Sequence, residues 1–158
     1  MTPAATLPAE AHIRRETLAS IVVNMLFGLV FFLLLFGLSG PVPLAGPGGL
    51  AADFIPQFFM VALMSVLVPG WLTARKQAAG KVLPDRRASP LPRRRLPRAL
   101  LLAAAAGAIA ALLAFTLSRL AADIAIGWWP ALAIKVAAAG LVAAIVTPLG
   151  LRAELARP

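Results

Sequence analysis

The sequence predicts an all-α membrane protein: four transmembrane helices, both termini cytoplasmic, and two helical hairpins joined by a basic, Pro-rich cytoplasmic loop. Three observations carry this reading. Four apolar runs are long enough to cross a bilayer. The chain is 61% hydrophobic and only 13% charged. Nine of its fifteen Lys and Arg residues fall within Arg75–Arg98. Average soluble domains are about 45–50% apolar and roughly 25% charged, and a mean hydropathy of +0.89 lies far to the apolar side of that.

A hydrocarbon core about 30 Å thick needs around 20 residues of helix. Leu18–Leu38 and Phe54–Ala74 are each 21 residues without a charge, Ala99–Ser118 is 20, and Trp129–Leu151 is 23 with Lys135 as its one charge. In lipid every backbone polar group must be paired internally, so runs of this length are helices; spanning strands are about half as long and alternate. Helices are therefore expected at about 18–38, 54–74, 99–119 and 129–151. They form one domain over 17–158, preceded by a polar, mobile tail over 1–16. Arg14-Arg15 before the first run and Pro43-Leu44-Ala45-Gly46 after it have the outline of an export signal. The apolar core of such a signal is about 7–15 residues, and this one is 21, so a retained first helix is expected.

Charge placement sets the expected orientation. Arg14 and Arg15, the nine basic residues of the 75–98 loop, and Arg152 and Arg157 put thirteen of fifteen on one side. Only Arg119 and Lys135 fall to the other. The positive-inside bias then places the chain in a bacterial cytoplasmic (inner) membrane with both termini inside. Pro84, Pro90, Pro92 and Pro97 disfavour helix in the loop, which is expected to be extended, self-repelling and without a packed core. Arg86, Arg87, Arg93, Arg94 and Arg95 are its candidate contacts to anionic lipid head groups. In a soluble protein a net charge of +9 would point to nucleic acid. No aromatic residue is interleaved with the basic run as a single-strand platform requires, and no nucleic-acid partner is expected. Ser39–Asp53, with three Pro, four Gly and no Lys or Arg, is the first outer loop.

The halves are built from different material. Helix 3 has nine Ala and one Gly in 20 residues, with Ala103, Gly107 and Ala111 at small-xxx-small spacing. Helix 4 repeats the theme at Ala133, Ala137, Gly140 and Ala144. Small side chains let backbones approach closely in lipid, so a tight helix 3–helix 4 pair is expected, with the bulkier helices 1 and 2 around it. The same faces could join a second copy or another membrane protein. Prolines near both ends of helices 2 and 4 (Pro56 and Pro69, Pro130 and Pro148) fit two parallel hairpins.

Polar residues inside the runs are few. Lys135 lies roughly 9 Å below Trp129 at 1.5 Å per residue; with Arg119, Asp123 and Asp53 it makes an expected outer-side charge cluster, the Lys snorkelling or ion-paired. Asn24 and Ser20 share a face of helix 1. Pro69 frees the carbonyl of Ser65, and Pro148 that of Ala144, so Asn24 is expected to donate to one of them as interhelical glue. Gln57, one turn from Asp53, is an interfacial amide and, with Asn24, Ser20 and Ser65, a candidate interhelical polar contact; its helix 2 face continues to Met60 and Met64, read as core fillers. Trp71, Trp128 and Trp129 suit interfacial belts.

Cys is absent, and the single His, His12, falls in the expected tail. No catalytic, cofactor or metal arrangement is expected, and the chain is not read as an enzyme. In overall plan four short helices resemble the small multidrug exporters. That family couples protons through a carboxylate in its first helix, and 18–38 has none. The functional expectation is a small integral membrane protein with a binding, assembly or accessory role; the alternative is a small transporter or channel acting as a homo-oligomer.

Overall fold

The computed structural model describes residues 7–85 and 89–156. Four helices make the fold: α1 (Ala9–Phe36), α2 (Leu50–Ala78), α3 (Arg95–Leu120) and α4 (Trp128–Leu155). Each is long and apolar enough to cross a membrane, which makes this a multi-pass membrane protein by length and hydropathy. All four exceed their apolar runs. α1 begins at Ala9, so the expected 1–16 tail is already helical from residue 9. His12 is fully buried and Ile13 nearly so. The extension also brings Glu16 into the first helix, which therefore does carry a carboxylate near its N-terminal end.

The helices pack in the order α1–α4–α2–α3. α4 lies between α1 and α2, while α3 packs almost entirely on α2. The expected hairpin pairs are not packed pairs: α1 and α2 touch little, and so do α3 and α4. The small-residue stripes explain why. Ala103 and Gly107 are buried, but Ala111 is exposed; on α4, Ala133 and Ala137 are exposed. What α3 buries is Ala99, Ala103, Ala106, Gly107, Ala110 and Ala114. That face receives bulky side chains from α2: a Cβ added at Gly107 would lie 3.6 Å from the Phe59 side chain. Small met large, not small.

Close backbone approach occurs instead at α1/α4 and α2/α4. A Cβ at Gly28 of α1 would sit 3.2 Å from the Ala139 Cβ and 3.5 Å from the Val136 Cα. One at Gly150 of α4 would sit 3.1 Å from the Val66 side chain of α2. Three helices also bury an every-fourth-residue row: Ser20, Asn24, Gly28 and Phe32 on α1; Val61, Ser65, Pro69 and Thr73 on α2; Ala131, Lys135, Ala139, Ala143, Thr147 and Leu151 on α4. Met60 and Met64 are off these rows and exposed, which corrects their reading as core fillers.

The ends are tied. β1 (Val42–Pro43) and β2 (Ala125–Ile126) form a two-residue antiparallel ladder joining the 37–49 and 121–127 loops, and the Trp128 indole N–H donates to the Gly37 carbonyl at 3.1 Å. At the opposite end the Leu7 amide donates to the Lys81 carbonyl, and the Asp85 amide to that of Leu155. The chain ends and the basic loop therefore share one end of the molecule. Val82 packs there with Ile13, Leu151 and Leu155, so the described part of the loop does have a small packed core, contrary to expectation. Pro84, Pro90 and Pro92 lie outside the helices, whereas Pro97 sits in the first turn of α3, where proline is tolerated.

Overpacking the α1/α4 crossing tests this arrangement. Gly28→Leu is expected to lower unfolding stability in detergent by about 1–3 kcal/mol. Ala133→Leu, on the exposed face of α4, is expected to stay within about 0.5 kcal/mol of the unaltered chain.

Candidate functional site

The buried polar side chains collect where α1, α2 and α4 meet. At mid-height the Asn24 amide donates to the Ser20 carbonyl at 2.8 Å and, at 3.3 Å, to the hydroxyls of both Ser20 and Ser65. The Ser20 and Ser65 hydroxyls are 3.2 Å apart, and Thr147 donates to the Ser20 hydroxyl at 2.9 Å. All four residues are buried. The structure thus brings Asn24, Ser20 and Ser65 together, but through side chains and Asn24's own helix. Neither carbonyl freed by proline is the acceptor. Thr147 completes the group, a residue the sequence reading did not single out.

Toward the ladder end, Lys135 is buried and its ammonium pairs with the Asp53 carboxylate. The Phe36 ring lies 5.8 Å from the Lys135 Nζ. Gln57 donates to the Lys135 carbonyl at 3.1 Å, and its own side-chain oxygen is buried without a hydrogen-bond partner. The four-residue charge cluster expected here reduces to this pair. Arg119 is exposed, with its guanidinium 5.2 Å from the Phe115 ring, and Asp123 is exposed on the 121–127 loop. A Lys on the i±4 row faces inward, so it meets Asp53 on α2 and does not snorkel outward.

At the end holding the basic loop, two further contacts close the molecule. His12 Nε2 and the Thr73 hydroxyl are 2.8 Å apart, and Glu16 pairs with Lys76 at 2.5 Å, joining α1 to α2. Across the molecule Glu154 of α4 receives both Arg95, at 2.7 Å, and Arg98 of α3. This charged contact, not an Ala stripe, is where α3 reaches α4. Arg98 and Glu154 are both almost completely buried. Of the arginines assigned to lipid head groups, Arg95 is therefore engaged within the protein, Arg93 and Arg94 are exposed, and Arg86 and Arg87 lie outside the described residues.

The spacing could have revealed more of this. Ser20 and Asn24 extend backwards by fours to Glu16 and His12; Asp53 and Gln57 extend forwards to Ser65 and Thr73; Lys135 extends to Thr147. Sequence reading stopped at the charged ends of the apolar runs and missed His12, Glu16, Thr73, Thr147 and Glu154. Chemically, the α1/α2/α4 seam holds two ion pairs, Lys135–Asp53 and Glu16–Lys76, with one hydroxyl–amide cluster and one His–Thr contact. Among the described residues no three His, Asp or Glu side chains converge as a metal site would require.

Comparison of the chain with protein-family models, with curated proteins and with solved structures gives no match. The functional reading rests on the residues alone.

A double-mutant cycle separates pairing from burial at Lys135–Asp53. Asp53→Asn is expected to destabilise by up to about 3–5 kcal/mol, because it strands the buried Lys135 ammonium, and Lys135→Met by less, because Asp53 is only partly buried. The double variant is expected to lose much less than their sum. Unfolding in detergent, followed by helical circular dichroism, reads all four corners.

Proposed function

We propose that this chain is a non-enzymatic protein of a bacterial inner membrane, with both termini cytoplasmic and a binding, assembly or accessory role. The observation that carries the reading is the open row of four helices. Its polar groups are largely spent on one another inside the α1/α2/α4 seam, while α1 and α3 at the two ends of the row keep broad apolar faces outward. Val22, Leu26 and Phe31 on α1 and Ile109, Leu112 and Phe115 on α3 are each about half exposed or more. Such faces suit lipid, a second copy or another membrane protein.

The orientation rests on the thirteen-to-two distribution of Lys and Arg, together with the sharing of one molecular end by both chain ends and the basic loop. The partners assigned are membrane lipids with anionic head groups on that side, and a membrane protein or a second copy, with no nucleic acid.

A second reading, a small transporter or channel, is favoured by one observation. Lys135–Asp53 is an ion pair inside a span, continued along the same seam by Asn24, Ser65 and Thr147, and ionisable groups at such depth commonly mark pathways. The hydroxyl–amide cluster is hydrogen-bonded shut across three helices, which weighs toward the first reading.

Cross-linking in native membranes followed by mass spectrometry is expected to capture a stable membrane-protein partner or a dimer. A lone monomer, with cation or dye flux in proteoliposomes, would support transport instead. Because the chain has no Cys, single cysteines report sidedness directly. Ser39→Cys is expected to react with an impermeant maleimide in intact cells, and Ala79→Cys only after permeabilisation.

A further inference from the structure

Arg14 and Arg152 enter the reading so far only as charges that set orientation, yet they face a common groove. It has a volume of about 570 Å³, lies between α1 and α4 at the end holding the basic loop, and is lined by Glu10, Arg14, Thr17, Leu18, Pro148 and Arg152. We propose that this groove binds an anionic phospholipid, its phosphate held between Arg14 and Arg152 and an acyl chain lying in the α1/α4 crease above.

Charge and hydrogen bonding both point to a phosphate. Arg14 is exposed. Arg152 is half exposed, and the Glu10 carboxylate stands 3.9 Å from it, an ion-pair distance too long for a hydrogen bond. Arg14 and Arg152 against Glu10 leave the groove with a net positive charge. Guanidinium forks match phosphate oxygens bidentately. Thr17 lines the same groove, but its hydroxyl oxygen is buried behind the groove surface, so the head-group contact falls to the two arginines.

The apolar half of the ligand is accommodated by what lies above. Arg14, Leu18, Val22, Met25 and Leu29 follow one another at helical spacing along a single face of α1. A second groove, of about 530 Å³ and almost wholly apolar, continues the α1/α4 crease between Val22, Leu26 and Leu29 on one side and Trp129, Leu132 and Val136 on the other. From Arg14 to Met25 is roughly 16 Å of helix rise, close to half of a hydrocarbon core about 30 Å thick. An acyl chain whose head group sits at the arginines therefore runs past Leu18 and enters the near end of the second groove at Val22 and Met25. A free anion would use the arginines but not the crease; a phospholipid uses both. Basic pockets between spans on the cytoplasmic side suit such head groups. The site differs from the diffuse attraction of the 75–98 loop, because it is shaped by two helices and has an apolar continuation. It rests on the reading of the helices as membrane spans and is independent of any protein partner.

The test uses the full chain, purified in an uncharged detergent and examined by native mass spectrometry with added phosphatidylglycerol or with phosphatidylcholine of the same acyl chains. Retention of phosphatidylglycerol is expected to exceed that of phosphatidylcholine by about thirty-fold, the scale of two basic contacts at a membrane surface. Arg14→Gln with Arg152→Gln is expected to abolish that preference, and Arg75→Gln with Lys81→Gln, two exposed basic residues of the 75–98 loop, to leave it intact. Equal retention of both lipids by the unaltered chain overturns the proposal, and needs no variant to fold. So does equal loss in the loop variant, which would mean diffuse attraction. Full displacement by inorganic phosphate, or a lipid-free dimer as the retained species, also overturns it. Because the purified chain is tested alone, failure here leaves the accessory reading standing, and failure of partner capture leaves the lipid site standing.

Discussion

A polar side chain inside hydrocarbon has no water to fall back on, and the position of α4 follows from that constraint. Ser20 and Asn24 on α1, Ser65 on α2 and Thr147 on α4 satisfy one another at a single point. Each such interhelical bond in lipid is worth only about 0.6–2 kcal/mol. Left unpaired, the same amide and hydroxyls would each cost about as much or more. The selective force is thus in the penalty for any other arrangement. With α4 packed against both α1 and α2, these three helices share one seam, and Lys135 with Asp53 fixes the same register nearer the ladder.

Packing agrees with that order. Gly28 and Gly150 allow α4 to approach α1 and α2 closely, at the crossings where the polar rows mesh. α3 needs no such approach, since its Ala-rich face accepts the Phe side chains of α2. It is held to α4 by charge at one end, where Arg95 and Arg98 converge on Glu154. The molecule is consequently an open row, with its outer helices free to meet lipid or a partner along their length.

Much of this was legible in the sequence. Run length and hydropathy give the four helices because backbone pairing in lipid leaves no other choice. Lys135 and Asn24 stand out as polar groups in apolar runs, and both lie in the seam. The helix order was not legible. Small-xxx-small spacing marks faces capable of close approach without naming the partner, and Gly107 is met by Phe59 of α2 and not by α4. The true interior rows are polar and small, with the bulky apolar residues outward, so α1 shows little one-sided hydrophobicity to read. His12 and Glu154 were missed for a related reason. They lie beyond the apolar runs, where a charge reads as solvent-exposed, and only the tertiary fold buries them against Thr73 and against Arg98.

The helix order is the claim on which the rest stands, and disulfide trapping reads it directly in a chain with no native Cys. A Cβ at position 28 lies 3.2 Å from that of Ala139, within a small adjustment of the roughly 3.5–4.5 Å separation of bridged cysteines. Gly28→Cys with Ala139→Cys is predicted to form an intramolecular disulfide in membranes under mild oxidation, while Gly107→Cys with Ala137→Cys is predicted to stay reduced. A bridge between 107 and 137 with none between 28 and 139 would contradict the order, and with it the seam.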